Sequence, residues 1–292
     1  MPLTLTPLHP MFGADAAGID MRGPLAPEDV RAVNAAMAQY GVLRFRGQAM
    51  TGTEQVAMAE SFGPLDPGLK RVTKLPDRME HRMLIDISNI GPDGTPLSRD
   101  NPKVINGLAN QLWHSDSSFQ DQAAVYSMLS AVRLPSWGGE TEFCDLRLAW
   151  DTLPDRLRNA VTGRDAEHFA LHSRMALLGD GPFTEEQLAV MPPVMWPLVR
   201  PHVSGRTALF VGVHARRVTG MTTTEGRMLL LDLVEHATHP NRVWRQEWRD
   251  GDLLMWDNRC MLHRGRAYDL AEVRKLRRTT TMDPAIRATL AA

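Results

Sequence analysis

The chain has 292 residues, 33 lysines and arginines against 34 acidic residues, a formal net charge of -1 and 43% hydrophobic residues. With 23% charged residues, a chain of this size is not intrinsically disordered, because folding can hide about three-quarters of its unfolded surface. It lacks the clustered cations that displace counterions from nucleic acid or an anionic membrane, and its two cysteines, Cys144 and Cys260, have neither disulfide-framework nor zinc-knuckle spacing.

Pro27 to Tyr40 reads as a first helix, with Val30, Val33, Met37 and Tyr40 at helical spacing and Gly41 as its stop. A strand, Val42 to Arg46, follows. The next helix opens at the capping box Thr51-x-x-Glu54, carries Val56, Ala59 and Phe62 on one side, and stops at Gly63. Short strands then dominate: Met83 to Ser88, Trp113 to Ser118, Tyr126 to Leu134, Glu140 to Cys144, Val243 to Trp248, Asp252 to Trp256 and Leu276 to Met282. Between them lie a helical, proline-rich insertion at about 145 to 201 and a helix from Thr222 to His236. That helix starts at a second box, Thr222-x-x-Glu225, with Met228, Leu231 and Val234 as its expected buried stripe.

No run approaches the about 20 apolar residues of a bilayer span, and the N-terminus lacks the character of a secretory signal. The expectation is a single domain over 1–292, soluble and cytoplasmic. Many short strands between Gly/Pro turns point to a mainly β protein with helical decorations, a β-barrel or jelly roll rather than an alternating βαβ fold. No glycine-rich phosphate loop is present.

The segment Asn110-Gln-Leu-Trp-His114-Ser-Asp116 is chemically the most informative. In a strand, positions i and i+2 share a face with Cα atoms roughly 6 to 7 Å apart, so His114 and Asp116 can offer an imidazole and a carboxylate to one ion. An isolated H-x-D is more often a solvated strand with a satisfied histidine. His263 supplies a candidate third ligand, and two histidines with one carboxylate occupy one octahedral face, leaving three positions open in a geometry suited to Fe(II) and oxygen.

Beyond it, Arg274, Leu276 and Arg278 share one strand face, the two arginine Cα atoms roughly 13 Å apart. An inward arginine is costly unless it meets an anion, and its fork suits a carboxylate. Pairing with Asp257 or Asp269, or an exposed face, is the alternative. Thr141, in Gly138-Gly-Glu-Thr141, could donate to the same carboxylate as Arg274. His168 and His172 have the spacing of two imidazoles on one helix face but lack the glutamate of a metalloprotease motif, and read as a surface or partly buried pair. His202 and His214 fall in strand regions.

With W-H-x-D, G-G-x-T, W-D-N-R and the distal histidine, the chain resembles the Fe(II)/2-oxoglutarate-dependent dioxygenases of the taurine/2,4-dichlorophenoxyacetate dioxygenase family. The resemblance to the 2,4-dichlorophenoxyacetate branch runs nearly end to end, through VLRFRGQ, NQLWHSDSSFQ, YSMLSAV, TEFCD, MPPVMWPLVR, MWDNRC, LHRGR and LRRTT. It implies a double-stranded β-helix (jelly-roll, cupin-like) core in which His114, Asp116 and His263 bind Fe(II). The remaining positions would take 2-oxoglutarate and O2, with Arg274 and Thr141 on the distal C5 carboxylate. Arg278 would hold the acid group of the second substrate, and Asn110 would line that pocket.

Arg71 and Thr95 stand where the branch has lysines. Arg71 is a further candidate substrate contact, although a solvated basic loop is the ordinary reading of its stretch. The implied activity is hydroxylation of a small aromatic carboxylate, such as 2,4-dichlorophenoxyacetate, to a phenol, glyoxylate, succinate and CO2, with ascorbate supportive in vitro. The alternatives are the same chemistry on another organic acid, cinnamate-like or a sulfonate, and a non-redox, metal-binding cupin-like protein. A homo-oligomer is implied by family habit; nucleic acid and membrane are not expected partners.

Overall fold

The computed structural model describes residues 2–68, 78–178, 189, 191–285 and 290. The chain opens with two short strands, β1 (Thr4–Pro7) and β2 (Ala14–Ala17). Helix α1 (Pro27–Tyr40) ends where Gly41 turns left-handed at φ 71° and returns its N–H to Met37. After β3 (Val42–Phe45), α2 (Gly52–Glu60) starts at the Thr51/Glu54 box, both of whose reciprocal hydrogen bonds form. Then come β4 (Ile85–Ser88), α3 (Pro102–Gly107), a 3-10 turn (Leu108–Gln111), β5 (Ala124–Arg133) and β6 (Thr141–Asp145).

Among the described residues of 145 to 201, helices are joined by short strands. Helices α4 (Leu146–Asp151), α5 (Asp155–Val161) and α6 (His172–Leu178) alternate with strands β7 (Asp165–His168), β8 (Val194–Pro197) and β9 (Val199–Pro201). After β10 (Thr207–Leu209) and β11 (Ala215–Val218), strands β7, β8 and β11 form a small separate sheet, while β9 and β10 pair as a hairpin. Two of the prolines in this stretch end β8 and β9, positions where a missing N–H is tolerated.

Helix α7 (Thr223–Ala237) has the expected capping box but a different buried face. Met228 and Leu231 are 56% and 62% exposed, while Gly226, Leu229, Leu230, Leu233 and Ala237 are buried. The run Met-Leu-Leu-Leu-Asp-Leu-Val offers two apolar stripes, and Gly226 decides between them. A Cβ there would stand 3.1 Å from the Val218 backbone nitrogen, so the glycine face is the one that can approach β11.

The last strands are β12 (Val243–Gln246), β13 (Leu253–Asp257), β14 (Met261–Gly265) and β15 (Lys275–Met282). The large sheet runs β1-β2-β3-β13-β5-β15-β4, and a small antiparallel sheet runs β12-β6-β14. These are the two faces of the expected double-stranded β-helix. Leu129, Leu254, Trp256 and Leu276 from the large sheet meet Phe143, Cys144, Trp244 and Leu262 from the small one in a single buried cluster. The alternate residues Leu253 and Met255 point the other way, onto Val33 and Met37 of α1 and Val56 and Ala59 of α2. Both faces of the large sheet are therefore covered. No helix among the described residues is long and apolar enough to cross a membrane.

Candidate metal centre and co-substrate cavity

The stretch expected as a strand from Trp113 to Ser118 is a single bridge followed by a turn. His114 pairs antiparallel with His263 through backbone hydrogen bonds of 3.0 and 2.9 Å. The chain then reverses through Ser117, the one non-glycine residue with positive φ, 51°, among those described. Ser117 is tied there by donation to Asp66 at 2.9 Å. Asp116 thus reaches the ion site from a turn, and not from the i+2 position of a regular strand.

His114 Nε2 lies 3.9 Å from one Asp116 oxygen and His263 Nε2 lies 3.7 Å from the other. These separations are too long for hydrogen bonds and short enough for three donors to share an ion. His114 Nδ1 is 2.7 Å from the Leu112 carbonyl, to which it donates, leaving the Nε2 lone pair facing inward. His263 is wedged between Trp256 and Phe143, ring centroids 4.7 and 5.9 Å away. Burial pushes the pKa of both histidines below the usual imidazole range, which keeps them neutral and able to ligate. Burial pushes Asp116 upward, but the Arg278 guanidinium, helped by the Ser127 hydrogen bond, outweighs it and holds the carboxyl well below its ordinary range. Arg278 Nη1 donates directly to Asp116 Oδ1.

Asp116 is held by a polar frame. Its Oδ2 accepts from Ser127 Oγ at 2.7 Å, and its backbone N–H donates to Asn258 Oδ1 at 3.0 Å. Asn258 in turn donates to Ser127 at 2.9 Å and accepts from Trp256 Nε1 at 3.0 Å.

A cavity of about 340 Å³ extends from this cluster, with Asn110, Thr141, Arg274 and Arg278 in its wall. Arg274 precedes β15 and is buried, its guanidinium 5.1 Å from the Tyr268 ring centre. Its Nη2 donates to Gly139 O at 3.0 Å, while among the described residues its Nε has no partner. Burial, opposed by Tyr268 and Glu140, lowers its pKa to about 10. A buried guanidinium without a carboxylate partner suits an anionic ligand. The paired glycines create its seat, with φ of 74° at Gly138 and 76° at Gly139. A Cβ on Gly139 would stand 2.7 Å from Arg274 Nε, and one on Gly138 would stand 2.3 Å from Ala267 O. Thr141, buried on β6 of the small sheet, accepts a hydrogen bond from Trp248 Nε1 at 3.1 Å.

Residues 4–280 match the profile of the family described as taurine catabolism dioxygenase TauD, TfdA. The chain belongs to the TauD/TfdA dioxygenase family. It is 52% identical over 287 residues to the alpha-ketoglutarate-dependent 2,4-dichlorophenoxyacetate dioxygenase of Cupriavidus pinatubonensis, covering 98% of this chain and 100% of the relative. The (S)-phenoxypropionate/alpha-ketoglutarate-dioxygenase of Sphingobium herbicidovorans is 33% identical over 279 residues, covering 92% and 91%. Among solved structures, AAD-2 in complex with Mn(II) and N-oxalylglycine superposes with a TM-score of 0.89 at 39% identity, covering 96% of this chain and 98% of that one.

In this TauD/TfdA member the structure brings His114, Asp116, His263, Thr141, Arg274, Arg278 and Asn110 around one site. Arg71 lies outside the described residues. Thr95 is exposed and donates to Asp93 at 2.7 Å, in a turn away from the cavity lining. His168 belongs to β7 and His172 begins α6, so they do not share a helix face. His214 is in a turn, not a strand, its ring 6.3 Å from that of His114. His202, Asp257 and Cys260 form a second group of potential donors. However, the Asp257 oxygens already accept from Arg259 at 2.9 and 2.6 Å and from His202 at 3.1 Å. This group is therefore a buried ion-pair network.

Sequence reasoning missed Ser127, Asn258, Trp248 and Arg174. Asn258 stands inside W-D-N-R and could have been taken from that motif. Nothing local marks the others, since Ser127 meets Asn258 across 131 positions and Trp248 meets Thr141 across 107. Arg174, on α6, donates only to neighbouring Ser173 at 3.0 Å among the described residues, and burial followed by Arg278 lowers its pKa.

Proposed function

We propose that the chain is an Fe(II)- and 2-oxoglutarate-dependent dioxygenase that hydroxylates a small aryloxyacetic acid. The observation carrying this reading is one cavity that joins a two-histidine, one-carboxylate cluster to two separate guanidiniums, Arg274 and Arg278. His114, Asp116 and His263 would hold Fe(II), which supplies the redox chemistry that O2 needs. The buried, carboxylate-free guanidinium of Arg274 and the Thr141 hydroxyl fit the C5 carboxylate of 2-oxoglutarate. The Mn(II) and N-oxalylglycine of AAD-2 support this, since that molecule is 2-oxoglutarate with one methylene replaced by NH.

Arg278 would grip the carboxylate of the aryl acid, with Asn110 beside it and Arg71 as a further contact. An acid anchored next to Asp116 turns its neighbouring carbon toward the metal, and the position of that carbon decides the product. One oxygen atom of O2 enters succinate as 2-oxoglutarate loses CO2, and the other enters the carbon between ether oxygen and carboxylate. The resulting hemiacetal collapses to a phenol and glyoxylate. The relative from Cupriavidus pinatubonensis carries 2,4-dichlorophenoxyacetate in its name, which makes that acid the first substrate to test.

The test measures succinate and phenol with Fe(II), ascorbate and O2, comparing 2,4-dichlorophenoxyacetate, 2-phenoxypropionate, cinnamate, taurine and no second substrate. Matching phenol and succinate with the phenoxyacetate supports the assignment. Greater stimulation by cinnamate or taurine, or succinate independent of any of them, overturns the substrate class.

A further inference from the structure

Trp248 stands just beyond β12, partly buried against the core between the two sheets and outside the cavity lining. Among the described residues its indole N–H donates to Thr141. An indole nitrogen can donate but not accept, so the 3.1 Å contact between Trp248 Nε1 and Thr141 Oγ1 has one possible direction. The threonine oxygen accepts, one of its lone pairs is taken, and its own proton must point elsewhere. Among the described residues that proton has no acceptor, while Thr141 borders the same cavity as Arg274.

We infer that Trp248 is a positioning residue for the co-substrate: its indole N–H fixes Thr141 as a hydroxyl donor facing the cavity, completing with Arg274 a donor-only cradle for a carboxylate. This rests on the proposed role of Thr141 at the C5 carboxylate. A carboxylate only accepts, so a hydroxyl free to rotate would spend part of its time presenting a lone pair to it. The bond from Trp248 removes that orientation and polarises the O–H, strengthening the next hydrogen bond in the chain. Gly139 anchors the guanidinium by accepting from Arg274 Nη2 at 3.0 Å, and Arg274 lines the cavity beside Thr141. The cradle therefore selects an acid with a second, distal carboxylate over a simple 2-oxo acid.

The experiment measures the dissociation constant of 2-oxoglutarate for the Mn(II)-loaded protein by calorimetry, in the parent, Trp248→Phe, Thr141→Val and the double variant. Thermal unfolding without ligand serves as a folding control, and turnover supplies KM for both substrates. Trp248→Phe keeps an aromatic ring, though a smaller one, and removes the donor. It is expected to weaken 2-oxoglutarate roughly fivefold, the effect of losing one neutral hydrogen bond, with the aryl-acid KM unchanged. On the Thr141→Val background, Trp248→Phe should have no further effect. An equal loss on both backgrounds would mean that the ring merely packs, and would overturn the inference. So would a loss in Thr141→Val with none in Trp248→Phe. If Thr141→Val itself binds 2-oxoglutarate normally, the assignment of Thr141 fails and the inference fails with it.

Discussion

Gly139→Ala should weaken 2-oxoglutarate binding as well as destabilise the fold. Two costs add at this position. The first is conformational: φ of 76° is a left-handed geometry that costs an L-residue about 1 to 2 kcal/mol. The second is steric, because the new Cβ would stand 2.7 Å from Arg274 Nε. Arg274 must withdraw by about 0.7 Å to restore ordinary van der Waals contact, and this carries the guanidinium off its line to the ligand. A misaligned charge-assisted hydrogen bond loses about 1.5 to 3 kcal/mol, or roughly ten- to hundredfold in affinity.

Gly47 provides the control, since it has a similar φ of 67° and nothing lies within 4 Å of the place an added Cβ would take. Gly47→Ala should show the stability loss alone, about 2 to 3 °C in Tm, with normal co-substrate affinity. The assay is titration of the Mn(II)-loaded variants with 2-oxoglutarate beside their melting curves. Equal affinity in Gly139→Ala and Gly47→Ala would refute the argument that this glycine makes room for Arg274.

Arg278→Ala should raise the KM for the aryl acid at least tenfold, the value of a charged hydrogen bond, with 2-oxoglutarate affinity retained. An equal loss of 2-oxoglutarate affinity would mean that the two arginines have been assigned the wrong way round. Asn258→Ala withdraws the acceptor of the Asp116 N–H and a donor to Ser127, and metal affinity should fall about 10- to 100-fold; chelator competition giving the parent value would refute this. His168 is fully buried with neither ring nitrogen partnered among the described residues, and burial followed by Arg200 lowers its pKa to about 3. Its folded pKa lies below the unfolded one, so stability is present above about pH 6.5 and is lost as pH falls toward 3. Between pH 7 and 5.5 this one group should remove about 1 kcal/mol, and the urea-unfolding difference between those pH values should shrink by that much in His168→Phe.

Local signals were readable where the residues responsible lie within one or two turns. The stop at Gly41 and the boxes at Thr51 and Thr222 form as their sequences suggest. The strand expected from Asp252 to Trp256 forms as β13 from Leu253 to Asp257. Local pattern failed in α7, where two apolar stripes compete and only the neighbouring β11 backbone selects one. It failed again at His114 to Asp116, where the expected strand spacing gives way to a turn stabilised by Asp66 and Asn258. Those partners come from distant segments, and no periodicity near position 116 reports them. His263 was reachable through its motif, although its own strand, β14, is only five residues long and has no clear alternation.

The strand order β3-β13-β5-β15-β4 also has a consequence for how the chain is made. Strand β5, buried on both faces for most of its length, finds its two neighbours only in β13 and β15, near the other end of the chain. During synthesis, at about 5 to 20 residues per second, roughly 7 to 30 seconds separate the appearance of β5 from that of β15. Until β13 emerges that apolar strand has two unpaired edges, and one of them stays open until β15 follows. The interleaving that later locks both halves of the chain together thus makes the nascent protein dependent on shielding until its last strand emerges.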